Sequence, residues 1–195
     1  MKIYDLDPAW YYTAPGLAID ACLKKIGVQL ELLSDPDMLL LFEKDIRAGV
    51  SIIPTRCAEA NNKYMGSKYN PDEESKFIQY LDANNLYGWA MSQSLSVRDF
   101  KWKPESEIKN WKNIPCILEV DLEYPRERHI LHNEYPLVPE RLECNEVQKL
   151  IPNLCDKTTY VIHHETLKLY LDLGLKLKKI HRAISCVPRR SLDEA

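Results

Sequence analysis

Asp82 is the residue whose setting in this chain could do chemistry. It closes the run Lys76-Phe77-Ile78-Gln79-Tyr80-Leu81, whose aromatic and aliphatic residues predict a strand largely buried on both faces. An acid at the end of a buried strand is costly unless a cation compensates it, and a divalent metal does so where phosphates are also handled. Asp82 is followed by Ala83-Asn84-Asn85, a turn, and then by Leu86-Tyr87-Gly88-Trp89-Ala90-Met91, one or two helical turns with an Asn placed to cap them. The competing reading is a metal-free carboxylate that is buried or caps a turn.

Other constellations carry less. Glu119, Asp121 and Glu123 alternate with Leu118, Val120, Leu122 and Tyr124, which predicts a half-exposed strand with its acids toward solvent rather than a metal cluster. Cys116, His129, His132 and Cys144 invite zinc, but no C-x-x-C pair exists and single, widely spaced cysteines do not make a finger. Residues 1 to 95 hold nine Lys and Arg against thirteen Asp and Glu, whereas 168 to 190 hold seven cations against Asp172 alone. That strip is either a solvated face or a phosphate contact, within a chain whose net charge of −3 argues mildly against a free-standing nucleic-acid binder.

These residues must be positioned by a chain of ordinary globular composition, 45% hydrophobic and 28% charged over 195 residues. Pro15-Gly16 opens a helix with Ile19, Cys22, Leu23 and Ile26 on one stripe and Gly27 at its end; Asp35-Pro36 opens a second with Leu39, Phe42 and Ile46 on its stripe. Both are expected to pack on the core. Arg47 and Gly49 lie in a tight turn leading to Val50-Ser51-Ile52-Ile53, where Gly49 lets backbone approach a phosphate and Arg47 supplies a guanidinium. Residues 54 to 75 predict a polar, partly mobile surface loop. Beyond Asp82, strands are expected over Val97 to Trp102, Ile117 to Tyr124, Tyr160 to His163 and Leu175 to Ile184, a helix over Leu167 to Leu171 closed by Gly174, and an extended loop over Arg126 to Pro139. No run of 18 apolar residues and no signal-like start exist, and the six cysteines show no short-spaced pairs, so an intracellular protein with reduced thiols and no membrane span is expected.

The run Asp82-Ala83-Asn84-Asn85-Leu86-Tyr87-Gly88 resembles the first palm motif of family B DNA polymerases, D-x-x-S-L-Y-P, with Asn85 for the Ser and Gly88 for the Pro. These departures, with Trp89-Ala90-Met91-Ser92-Gln93 after them, are similar to the protein-primed branch found in large self-synthesising transposons, linear plasmids and some viruses. The resemblance implies that Asp82 holds catalytic Mg2+, that the backbone from Asn85 lies near the triphosphate with Leu86 buttressing it, and that Tyr87 stacks under the sugar and excludes a 2′-hydroxyl. By position, Ile46-Arg47-Ala48-Gly49 looks like that family's Y-x-G-G/A template-contact motif, with Ile46 in place of the aromatic. Lys176, Lys178, Lys179 and Arg182 then extend a template track. Partners implied are DNA template and primer, deoxynucleoside triphosphates and a terminal priming protein.

The fold expected is α+β: a partial polymerase palm with preceding helices and a second mixed lobe. Its segments are 1 to 33, following an exonuclease region; 34 to 95, carrying the palm motif; 96 to 183, resembling the terminal-protein insertion; and 184 to 195, a tail unlike the family's continuation toward the fingers. The second palm carboxylate of a D-T-D pattern and a fingers helix with its Lys and N-S-x-Y-G do not occur in this sequence. An enzyme fragment, inactive alone and from a truncated or frameshifted gene, is therefore expected. A non-catalytic remnant binding through the 168 to 190 strip is the alternative.

Overall fold

Capping chemistry sets the first two helices. The Thr13 hydroxyl accepts from the Gly16 N–H and Gly27 closes α1 (Ala14–Ile26) at φ 62°, while the Asp35 carboxylate accepts from the Asp37 N–H at the start of α2 (Pro36–Asp45). The computed structural model describes residues 4–27, 30–47 and 50–190. The remaining elements are α3 (Leu86–Met91), β1 (Ser94–Trp102), α4 (Glu105–Ile108), β2 (Cys116–Glu123), α5 (Arg126–His132), β3 (Glu140–Cys144), β4 (Val147–Ile151), β5 (Lys157–His163), α6 (His164–Asp172) and β6 (Lys176–Arg190). The chain is thus mixed α+β. None of the helices among the described residues is long and apolar enough to cross a membrane.

Four strands form one antiparallel sheet in the order β1-β6-β2-β5, and β3 and β4 pair separately as a hairpin. The alternation along β2 sorts the two faces. Leu118, Val120 and Leu122, with Tyr160, Ile162 and Ala183 of the neighbouring strands, pack under Leu167 of α6 and Trp111. Ile117, Val161 and Ile184 point the other way and meet Met38 and Leu41 of α2. Leu41 is fully buried, and burying a side chain of that size contributes roughly 1.5–3 kcal/mol.

Several expectations are corrected. No residue of α1 is buried and Ile19 is exposed, so that helix does not pack on the core. α2 packs on the sheet as expected, with Phe42 of the predicted stripe against the core, but its buried residues are Met38 and Leu41 while Leu39 and Ile46 face out, a contact face one position round from the predicted stripe. Arg126 to His132 is a helix rather than an extended loop, with Pro125 as its extended N-cap residue and the Arg128 N–H donating to the Pro125 carbonyl at 2.9 Å. The β3–β4 hairpin turns through Asn145 and Glu146, both at positive φ (52° and 63°), a turn that the sequence masks by having no glycine. β6 extends past the expected strand end at Ile184 to Arg190, because Ser94 to Ser96 of β1 pair with Pro188 to Arg190.

The acidic strand face is the largest correction. Glu119 is only 6% exposed, and the cations of β6 lie opposite β2's acids. Arg182 Nε donates to Glu119 Oε2 at 2.7 Å, Lys176 and Lys178 reach Glu123 at 3.3 and 3.7 Å, and Lys178 also donates to Asp156 at 3.1 Å. His181 Nε2 lies 2.8 Å from Asp121 Oδ1, an electrostatic contact rather than a well-aligned hydrogen bond. Arg182 also lies over the Trp102 ring, 5.2 Å from its centroid, and the Trp102 N–H donates to Asp35, the cap of α2. Arg182→Ala should therefore loosen both sheet and helix. With only Lys44 left at 3.9 Å from Glu119, we expect a loss of about 1–3 kcal/mol, read as a lowered urea midpoint, and a smaller loss for Arg182→Lys.

Candidate functional site

The segment bearing Asp82 is launched from a hydrogen-bonded bridge. Lys76 N–H donates to the Asn61 carbonyl at 2.6 Å and Asn61 N–H to the Lys76 carbonyl at 2.9 Å. The Asn61 amide, buried, donates to the carbonyls of Asn70, Glu73 and Glu74, and its oxygen accepts from Asn70 N–H. Asn62 spans back to the Lys76 carbonyl and caps a 3-10 turn over Lys63–Lys68. Residues 61 to 76 therefore form a closed loop tied by two asparagines, where the sequence predicts a partly mobile one.

Beyond the bridge, Phe77 to Leu81 form no strand. Phe77, Ile78, Tyr80 and Leu81 are all exposed, so the expectation of a strand buried on both faces fails. Asp82 is exposed at the end of this run. Asn85 adopts the left-handed conformation (φ 54°, ψ 38°) and its side chain makes no cap bond. It folds instead over Gly88, where an added Cβ would lie 2.5 Å from both the amide nitrogen and oxygen of Asn85. Asn85 and Gly88 thus touch each other, and a side chain at 88 requires a different arrangement at 85. α3 ends where the Ser92 hydroxyl and Gln93 amide donate to the Trp89 carbonyl, at 2.7 and 3.2 Å, and β1 begins. Asp82, Asn85, Leu86 and Tyr87 thus share one exposed turn.

The candidate template residues lie elsewhere. Arg47 donates to the Val161 carbonyl at 2.9 Å and to Asp45 Oδ1 at 3.2 Å, with its guanidinium 4.0 Å from the Tyr160 ring centroid. It ties the end of α2 to the outer edge of β5, between clefts of about 400 and 320 Å3. Burial pushes the Asp45 carboxyl up despite Arg47 and His163 beside it, and burial followed by His164 pushes His163 down. Gly49 lies outside the described residues. Lys176, Lys178 and Arg182 are engaged as described above, and Lys179 stands opposite Asp121 in the β2–β6 register. Sequence reasoning saw the β2 acids and the β6 cations separately and missed that they compensate each other.

The supposed zinc quartet is dispersed in its bonding. The Tyr124 hydroxyl and His132 Nδ1 are hydrogen-bonded at 2.9 Å, and His129 Nε2 lies 3.2 Å from the Tyr124 carbonyl. Cys116 is buried with its thiol on the Trp111 carbonyl, and burial pushes its pKa up to about 12, so it stays protonated. Among the described residues no group of three or more His, Cys, Asp or Glu is placed to hold a metal. No family model, curated protein or solved structure matches this chain.

Proposed function

We propose that this chain is a segment of a DNA-directed DNA polymerase of the protein-primed family B type. The observation that carries the reading is the run from Asp82 to Gly88, in which Asp, Leu and Tyr keep the family's spacing. Two features of the fold support it. Asp82 and Tyr87 face solvent on one turn, open to a nucleotide, whereas the acids of the sheet are matched by cations. The departures at 85 and 88 are mutually compensated by contact.

The donor set suits Mg2+ in part: Asp82 supplies a hard oxygen ligand, and a second carboxylate must join it. Held by Asp82 and that further carboxylate, Mg2+ would supply positive charge at the triphosphate and acidify the attacking primer hydroxyl. The chain's own residues orient the nucleotide. In this reading backbone from Asn85 lies along the triphosphate, Leu86 buttresses the turn, and Tyr87 lies against the sugar where a 2′-oxygen would go. Arg47 and the β6 cations are engaged within the fold, so the reading rests on the Asp82 to Tyr87 turn.

Tyr87→Val tests this. Tyr87 is 85% exposed, so its truncation should leave the melting temperature of this chain within about 1–2 °C of the parent, as surface changes near ±0.5 kcal/mol do. In a polymerase assembled from this chain with segments supplying the second carboxylate and the fingers lysine, the substitution should keep deoxynucleotide incorporation while lowering the preference over ribonucleotides at least tenfold. An unchanged ratio rejects the proposed role.

A further inference from the structure

We propose that Phe77 to Leu81 becomes a strand by pairing antiparallel, about Gln79, with the same segment of a second copy of this chain. Phe77, Ile78, Tyr80 and Leu81 are exposed, Tyr80 by 95% and Leu81 by 84%, and among the described residues no backbone group from Phe77 to Leu81 has a hydrogen-bond partner. A run of β-branched, aromatic and aliphatic residues without Pro, Gly or an internal charge carries nothing that discourages a neighbouring strand. Both its ends are held, by the Asn61–Lys76 bridge before it and by α3 after Asn85. Ordering it therefore costs less entropy than ordering a free tail.

The segment is complementary to its own reverse. With Gln79 on the twofold axis, Lys76 falls opposite Asp82 of the second copy, Phe77 opposite Leu81, and Ile78 opposite Tyr80. One face then carries Ile78–Tyr80 pairs flanked by opposite charges; the other carries Phe77–Leu81 pairs around two Gln79 amides that can hydrogen-bond each other. Neither Lys76 nor Asp82 has an ion-pair partner among the described residues. The bridge favours the same register. Lys76 N–H and C=O both point to Asn61. Backbone groups alternate sides along an extended chain, so those of Ile78 and Tyr80 follow Lys76, while those of Phe77, Gln79 and Leu81 turn to the open side. Centring on Gln79 makes these last the hydrogen-bonded positions and leaves Lys76–Asp82 and Ile78–Tyr80 as the non-hydrogen-bonded pairs, whose side chains stand closest. Apolar pattern, charge and bridge thus agree, and a twofold contact of this kind closes at two copies. So short a ribbon is a weak interface, with a dissociation constant on the order of micromolar or above.

The test is sedimentation velocity of the full chain over a concentration series at low salt, without Mg2+, nucleotide or DNA. A reversible monomer–dimer equilibrium is expected. Gln79→Pro, at an exposed position, removes the N–H on the axis and should raise the dissociation constant at least about tenfold while keeping the parent's circular dichroism. Lys76→Glu and Asp82→Lys should each weaken self-association at least about fivefold, because each sets like charges opposite one another. Mixed in equal amounts, these two variants restore both opposite-charge pairs and should associate with each other about as tightly as the parent does with itself, which misfolded variants would not do. A parent that stays monomeric throughout, a dimer unchanged by Gln79→Pro and so formed through another surface, or a mixture no tighter than its components overturns the proposal. None of these readouts uses catalysis, so the pairing and the polymerase reading can each fail alone.

Discussion

Lys157→Ala is expected to remove about 3–5 kcal/mol of folding stability, a large share of what a domain of this size has. Lys157 begins β5 yet is only 2% exposed, and its ammonium donates to Glu140 Oε1 at 2.7 Å and to Asn153 Oδ1. Asn153 in turn donates to Glu140 at 2.6 Å, so one buried cation ties the hairpin to the main sheet. Truncation leaves a cavity and strips the carboxylate of its partner. A melting temperature lower by about 6–20 °C is the result to look for. Lys157→Met, which keeps the volume and lets the part-exposed Glu140 turn to water, should lose less.

Acid titration checks the same cluster. Burial acts to raise the Glu140 carboxyl, but the hydrogen bonds from Lys157 and Asn153 outweigh it and leave its pKa below the ordinary 4.5. A depressed carboxyl contributes stability that is present above its unfolded value and is lost as pH falls through its folded one. The parent should therefore lose stability on acidification below about pH 4.5, and Lys157→Ala should lose less over that range. Asp121, also lowered, first by the Thr159 N–H, keeps its share in both proteins, whereas Asp156, lowered first by the Tyr124 N–H, draws a smaller part from Lys157 and adds to the difference. Equal acid sensitivity in parent and variant would show that Glu140 draws nothing from Lys157.

The second large effect belongs to Asp82. In the assembled polymerase, Asp82→Ala should reduce Mg2+-dependent incorporation to the level measured without Mg2+, because one carboxylate cannot hold the charge of a triphosphate and its metals. Asp82→Asn keeps the shape but not the charge and should fail equally. The purified chain alone, with this one motif carboxylate and no fingers lysine, should not extend a primed template at all. Since Asp82 is exposed, neither substitution should shift the melting temperature by more than about 1–2 °C. Incorporation retained in Asp82→Ala would remove the metal-binding role and with it the polymerase reading.

The sequence by itself determined those features that depend on neighbours along the chain. Asp35 and Gly27 mark helix ends because capping bonds span only a few residues, and they stand where expected, while Thr13 caps α1 just before the expected opening at Pro15-Gly16. The period-two alternation of β2 separates Leu118, Val120 and Leu122 from the acids, and the structure buries those three leucine and valine side chains on one face. The short helix from Leu86, entered through a turn at Asn85, was also legible from neighbouring residues.

Only the tertiary structure decided what stands opposite each face. Alternation placed Glu119 and Glu123 together but is blind to β6, some sixty residues away, whose cations pair with those acids where Glu119 is buried and Glu123 stays part-exposed. Phe77 to Leu81 has the composition of a buried strand and is exposed, because a strand exists only where a second backbone accepts its hydrogen bonds, and composition does not say whether one is present. The loop before it looked mobile because it is polar. It is closed because Asn61 and Asn62 turn their amides inward onto carbonyls up to fourteen residues away, a choice between water and backbone that only the folded geometry resolves.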